Sequence, residues 1–384
     1  MASYWPMTSS RTHVRDAPPP VAKTARNWLA HALRTGQATS GLDGVGYEPL
    51  IPAAEDEGVV MLVLPKLLQN AADAQMHATL QHLGRRHAMQ ELQRQAEARH
   101  AIAALDAGGV QVLVLKGAAL AYWLYPDPVQ RPRYDLDMLV AGRAAAGRAI
   151  DALGSAGYAA VADIGMGNTP DFEIALKRGS ATGSHVIDLH WHLLNHSVLA
   201  RGFDFEALWA LSIPIPELHP QARGLGRVHA LVHALLHRVT NMPSGHQDRL
   251  IWLYDIHLLA ESSSEEDWAF FLQLCRDKHI AAPCRDGLEA CVSVLATKLP
   301  SEVEDELRRL SVAEPWKFGR LGQGAMDRAH LSALPLRQKV SWLRRKLFPS
   351  PEFMRHRYGA QGGSGLLRAY VARWWVGLKR AAGG

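Results

Sequence analysis

Apolar residues change their spacing twice along this chain, and the changes mark three successive regions. From residue 24 to 107 they recur with the period of a helix. "TARNWLAHALRTG" reads as a helix stopped at Gly36, "TSGLDGVGYEPLIPAAEDEG" as a loop, and Val59 to Asn70 as a short apolar helix. Residues 73 to 107 lack proline and are rich in Ala, Leu, Gln, Glu and Arg, so they form the longest predicted helix, stopped by Gly108-Gly109. Between 108 and 221 the runs shorten and become β-branched. "VQVLVL" (Val110 to Leu115) reads as a buried strand, "KGAALAYWLY" as a glycine turn entering a short helix, and "YPDPVQRP" as a loop. "YDLDMLV" reads as a second strand and "RAAAGRAIDALGSAGY" as a helix with a glycine stop. "DFEIALKRGSATGSHVIDLHWHL" reads as two strands joined by a Gly/Ser/Thr turn. Residues 108 to 195 thus predict β-α-β-α-β-β, an α+β fold built on a small mixed sheet. From 222 to 330 four helical patterns return, beginning at "RVHALVHALLHRV", so the core is flanked by N- and C-terminal helical regions. Residues 1 to 23 are Pro/Ser-rich and read as a disordered start.

Composition alters this picture in few places. With 384 residues, 48% of them hydrophobic, the chain can bury a sizeable core. No stretch approaches the roughly 18 apolar residues of a membrane span. The N-terminus holds no signal-peptide core, so a cytoplasmic location is expected. Cys275, Cys284 and Cys291 match no metal-ligand spacing and read as buried free thiols. The net charge of +5 is unevenly spread. Residues 336 to 384 carry eleven Lys/Arg and one acid, Glu352, so this part is +10 and everything before it −5. In this basic tail (331 to 384), "LLRAYVARWWVGLKR" places Leu366, Leu367, Tyr370, Val371, Trp374, Trp375 and Leu378 on one helical stripe, away from Arg368, Arg373, Lys379 and Arg380. Such a helix packs on its own domain, lies on an anionic membrane surface, or meets a nucleic acid or another acidic partner. The stripe is not the stacking platform of a known RNA-binding module, which argues against nucleic acid.

The chemistry concentrates in the middle. A strand has period two, so Asp135 and Asp137 share a face, with Leu136 and Met138 on the other. Two like charges in an apolar run need compensation, from solvent at a sheet edge or from a cation. Asp188, in "HVIDLHW", places a third acid in another short apolar strand. Three converging carboxylates are hard oxygen ligands of the kind Mg²⁺ takes together with substrate phosphates. The turn "LKG" (Leu115 to Gly117) precedes a helix, where a glycine lets backbone amides approach a phosphate, and Lys116 and Arg131 can add positive charge.

"LKGAAL", "LYPDPVQRPRYDLDMLV", "VIDLHWHL" and "RLIWLYDIHLL" together resemble the uncharacterised nucleotidyltransferase family of bacteria, a branch of the DNA polymerase β-like nucleotidyltransferase superfamily. The resemblance spans roughly residues 25 to 260. It implies a nucleotidyltransferase that moves a nucleoside monophosphate from a nucleoside triphosphate, ATP or another, to an acceptor and releases pyrophosphate. The acceptor is an unidentified small molecule, peptide or protein. The resemblance also implies two Mg²⁺ ions held by Asp135, Asp137 and Asp188, and a triphosphate at Gly117. Lys116 and Arg131 match additions particular to the family. Where the superfamily usually has Gly-Ser or Gly-Gly, this chain has Gly117-Ala118, so a small hydroxyl donor is missing. That departure permits a non-catalytic nucleotide-binding or partner-binding protein on the same fold.

Several further residues have two readings each. His190 and His192 share the face of Asp188: His190 can meet a phosphate or a water, and His192 reads as packing. Glu173, on the hairpin's other strand, reads as a solvated edge residue before a fourth acid of the site. His229, His233 and His237, at i, i+4 and i+8, offer neighbouring pairs to zinc but lack the acid of H-E-x-x-H, and read first as partly buried histidines facing the core or the active-site cleft. Asp255, in an apolar helix, calls for an ion pair, with Arg249 or with an arginine elsewhere.

Overall fold

The computed structural model describes residues 20–35, 47–71, 73–161, 172–180, 183–194, 202–241 and 248–314. Towards the C-terminus it describes 331, 336–349, 351, 354–355 and 362–382. The predicted stop at Gly36 lies outside these residues, as does nearly all of the Pro/Ser-rich start, although helix α1 (Pro20–Thr35) already begins within it.

Part of the stretch expected to be a loop is helix α2 (Tyr47–Asp56). Pro49 falls in its first turn, where an amide has no partner within the helix, so this proline costs little. Pro52 does interrupt the ladder, and complete burial of Leu50 and Ala54 offsets the lost bond. Helices α3 (Val60–Gln69) and α4 (Ala74–Ala107) follow as the apolar spacing predicts. The Asp73 carboxylate caps α4 by accepting from the Met76 amide, and Gly109, at φ +64°, turns the chain out of it.

Then come β1 (Leu113–Val114), α5 (Lys116–Trp123), β2 (Leu136–Leu139), α6 (Gly142–Ser155), β3 (Ala159–Ala160), β4 (Glu173–Ser180) and β5 (Gly183–His190). Both early strands are shorter than their apolar runs. The Val110 amide is spent on the Leu105 carbonyl in closing α4, and Asp135 stands just ahead of β2. Helix α7 (Phe205–Ala210) leads to β6 (Ile213–Pro214) and β7 (Arg223–Gly224). The α+β class holds, on a seven-stranded mixed sheet ordered β3-β4-β5-β2-β1-β7-β6. Two pairs, β2 with β5 and β1 with β7, run parallel; the other pairs are antiparallel. The two-residue strands β3, β6 and β7 are too short to show alternation, which is why sequence periodicity misses them.

The two faces of the sheet have different covers. Leu136, Met138, Ile187 and Leu189 point into a core shared with Ala101, Ile102 and Leu105 of α4 and Ala149 and Leu153 of α6. Leu113, Leu115 and Leu139 point the other way, into the larger core built on α8 (Arg227–Asn241), α9 (Leu250–Glu261), α10 (Glu265–Lys278) and α11 (Ala281–Leu295). Helix α12 (Ser301–Ala313) adds Val303 and Leu307 to that core. The three cysteines are buried and free. The tail forms α13 (Leu336–Leu347) and α14 (Gly362–Ala382). Among the described residues no helix is long and apolar enough to cross a membrane.

Candidate active site

Parallel pairing of β2 with β5 sets Asp137 directly across from Asp188, and Leu139 across from His190. Side chains alternate, so both aspartates leave the sheet on the face opposite Met138 and Leu189. Asp135 precedes Asp137 by two and follows it to that side. One carboxylate oxygen from each of Asp135, Asp137 and Asp188 lies within 4.8 Å of the others. The three acids are therefore brought together as predicted, by two neighbouring strands.

Lys116 enters this cluster from the first residue of α5. Its backbone has φ +50°, a conformation costing a non-glycine residue of the order of 1 kcal/mol. The strained turn directs the ammonium at Asp137, with Nζ 2.6 Å from Oδ1. His190 Nε2 lies 3.1 Å from the same oxygen, and His190 Nδ1 lies 3.3 Å from Glu173 Oε2. Glu173 thus reaches the cluster through His190, where the sequence favoured a solvated edge. His192 packs its ring edge-on to Phe172, with centroids 4.8 Å apart.

These contacts divide the charge unequally. Burial opposes ionisation of Asp137, but Lys116 and His190 outweigh it and hold the carboxyl well below the usual carboxylate range. Burial pulls the Lys116 ammonium down, and Asp137 more than restores it, so the lysine titrates above its ordinary value. Asp188 has no such partner. Burial, then the charges of Asp137 and Asp135, push its carboxyl up to about 7. Asp135 is raised by the same causes, desolvation by the surrounding protein first and Asp137 second, although its side chain stays open to solvent. One cation is shared among three clustered acids, and the cluster is short of positive charge.

The loop carrying Asp135 is fixed by two buried ion pairs that flank Pro132. Arg131 meets Asp255 of α9 in a bidentate pair, Nε to Oδ1 at 2.8 Å and Nη2 to Oδ2 at 2.7 Å, and the Tyr125 hydroxyl donates to Asp255 Oδ1 at 2.6 Å. Arg133 Nη1 donates to Glu91 Oε2 of α4 at 2.8 Å, and the Tyr122 hydroxyl donates to Glu91 Oε1 at 2.8 Å. The partner of Asp255 is thus Arg131, 124 residues away, rather than Arg249, whose Nε donates to the Asp56 carbonyl. This places Arg131, expected at a triphosphate, in a satisfied and buried pair. Its guanidinium also accounts for Gly117: a Cβ there would lie 2.7 Å from Arg131 Nη1. Arg133, Glu91 and Tyr122 were missed in the sequence, because ion pairs between distant segments leave no local pattern.

Behind Lys116, a cavity of about 50 Å³ opens between β1, α5 and the C-terminal helices. Arg131, His233, His237, Trp252 and Asp255 are among its lining. Burial, then the nearby Lys116 charge, hold His233 down at about 3 and His237 well below its ordinary value, so both imidazoles are neutral. His233 is buried and His237 half-buried, with His237 edge-on to Trp252 at 5.1 Å.

A mixed sheet that presents three convergent carboxylates beside a glycine turn and a helix N-terminus has the plan of a nucleotidyltransferase core. The family model for uncharacterised nucleotidyltransferases matches residues 43–296, and the chain belongs to that family. Neither a curated protein nor a solved structure matches the chain at a significant level.

Proposed function

We propose that the chain transfers a nucleoside monophosphate from a nucleoside triphosphate to an acceptor oxygen. A bond forms from that oxygen to the α-phosphorus, the bond from the α-phosphorus to the bridging oxygen of the pyrophosphate breaks, and pyrophosphate leaves with that electron pair. The observation that carries this reading is the set of three carboxylates within 4.8 Å, of which Asp188 has no cationic side chain against it among the described residues. An all-oxygen, hard donor set with surplus negative charge suits Mg²⁺ or Mn²⁺. Asp135 and Asp137 would hold two ions, and Asp188 would complete the site nearer the acceptor. Bound there, divalent ions offset charge on the phosphates and favour loss of the acceptor proton.

The protein's own groups have separable tasks in this scheme. The α5 N-terminus, opened by Gly117, offers backbone amides to the triphosphate. Lys116 neutralises Asp137 before substrate arrives, and its ammonium is then available to a phosphate oxygen. His190, held between Asp137 and Glu173, orients the Asp137 carboxylate. Arg131 acts from behind, through Asp255, to fix the loop of Asp135 and the first turn of α5.

The test is pyrophosphate release from each of the four nucleoside triphosphates with Mg²⁺ or Mn²⁺, over a panel of hydroxyl and phosphate acceptors. Radiolabel from the α-phosphate is followed into product. Transfer that disappears in Asp137→Asn and Asp188→Asn is the expected result, and transfer unchanged in either overturns the assignment. The Lys116–Asp137 contact and the Gly117-Ala118 turn favour a second reading, a protein that binds a nucleotide without turning it over. Saturable triphosphate binding with no transfer to any acceptor would select it.

A further inference from the structure

The basic tail has a face that the nucleotidyltransferase reading does not use. In α13, Leu336, Val340, Leu343 and Leu347 follow one another at i, i+4, i+7 and i+11, which confines them to a narrow arc of the helix. They would ordinarily be core, yet they are 76%, 61%, 42% and 47% exposed, and Phe348 just beyond them is 57% exposed. Leu367 and Val371, one turn apart on α14, are 64% and 54% exposed. With Trp375, 61% exposed, these make eight of the fourteen large apolar side chains that the described residues leave exposed.

The two helices are nevertheless tied to each other. The Trp374 indole donates to the Leu347 carbonyl at 2.7 Å, the Tyr370 hydroxyl donates to the Pro349 carbonyl, and Phe348 meets Trp374 edge-on at 5.4 Å. Met354 and Ala369 form a small core with Leu366 and Tyr370, separate from the two large cores. Three of the seven predicted stripe residues, Leu366, Tyr370 and Trp374, are therefore used for packing within the tail, while Leu367, Val371 and Trp375 are exposed.

Charge selects the kind of surface this face fits. Eleven Lys/Arg against one acid in residues 336 to 384 exclude a basic apolar partner of like composition and favour a dense anionic plane. Lys339 and Arg344 fall on either side of the α13 apolar arc by helical period, as they do in a helix lying flat with its apolar side in acyl chains and its cations among headgroups. A helix of 12 residues is about 18 Å long, enough to lie along an interface and too short to span one.

We propose that α13 and α14 dock this protein onto an anionic lipid surface. The apolar arc of Leu336, Val340, Leu343 and Leu347 enters the bilayer boundary and the tail cations meet the headgroups. Both signals are needed, since weak apolar insertion and headgroup attraction reinforce one another.

The intact chain is floated with phosphatidylcholine vesicles, and with vesicles in which three-tenths of the lipid is phosphatidylglycerol. The expected result is flotation with the anionic vesicles alone, reversed by 0.5 M salt, and reduced at least tenfold in Val340→Glu/Leu343→Glu. Both changed positions are exposed, and an unchanged melting temperature checks that the double variant is folded. Equal flotation of wild type and double variant overturns the proposal, as does flotation indifferent to lipid charge. So does tight, salt-sensitive binding of a 20-mer oligonucleotide without vesicle binding, which would assign the cations to nucleic acid. A dimer that Val340→Glu/Leu343→Glu converts to monomer, again without vesicle binding, would assign the face to a second copy of the chain.

Discussion

Replacing Asp188 by asparagine should stabilise the metal-free protein while destroying its site. In the folded chain the Asp188 carboxyl is pushed up to about 7, whereas an unfolded aspartate titrates near ~3.9. An acid with a raised folded pKa penalises the native state once it is forced to ionise. The penalty is absent below about pH 4, grows between about 4 and 7, and is complete above 7. Three units correspond to roughly 4 kcal/mol as an upper bound. Asp188 is only partly buried, and solvent screening brings the figure to about 1–2 kcal/mol. For a chain of 384 residues that is on the order of 1–3 °C in melting temperature. Asparagine has nearly the shape of aspartate and no charge, so the substitution removes the penalty. The assay is thermal unfolding in chelator at pH 8 and pH 5, repeated with Mn²⁺. Without metal, Asp188→Asn should melt above wild type at pH 8, by less at pH 5. With Mn²⁺ at a hundredfold excess over its dissociation constant, wild type gains about 2.7 kcal/mol. The variant gains much less, so the order reverses. A variant no more stable than wild type at pH 8 in chelator, or an increment that does not depend on pH, would refute the charge argument.

Other perturbations probe the supports of the site. Asp255→Ala leaves Arg131 buried without its carboxylate and should cost about 3–5 kcal/mol, read as a lower urea midpoint at unchanged slope. Gly117→Ala forces a Cβ against a guanidinium that Asp255 holds in place, and should cost about 1–3 kcal/mol and weaken triphosphate binding. That cost should shrink in the Asp255→Ala background, and strictly additive effects would disprove the coupling. Lys116→Met removes the cation resting on Asp137, so Mn²⁺ titrated calorimetrically without nucleotide should bind severalfold more tightly, and triphosphate more weakly. Equal or weaker Mn²⁺ binding would mean that the lysine does not compete with metal.

The features legible in the sequence were those with a local energetic signature. Acids inside β-branched runs are costly, so Asp137 and Asp188 stood out, and the period of two placed Asp135 and Asp137 on one face before any sheet was known. The four patterns between 222 and 330 yielded helices for the same reason, with α11 starting earlier than its apolar run and α12 unanticipated. What the sequence hid depended on distance along the chain. Nothing near Arg131 indicates Asp255, and nothing near Arg133 indicates Glu91, because an ion pair is chosen by the fold that brings its members together. The same holds for Glu173, whose neighbour His190 lies across a hairpin. Helix α2 was hidden for a different reason: its two prolines mark a loop by propensity, and tertiary burial overrides them.

The parallel register of β2 and β5 imposes an arithmetic on how this family can vary in length. Asp137 faces Asp188 across one rung of the ladder. Inserting or deleting a single residue between Gly183 and Ile187 would rotate Asp188 to the side covered by α4 and α6 and bring an isoleucine or leucine into the carboxylate cluster. A change of two residues would keep the facing and shift only the rung. Two residues span about 6.6 Å of strand, so even a change that keeps the facing would carry Asp188 out of the 4.8 Å cluster, and aligned relatives should keep the length of this strand ahead of Asp188 fixed.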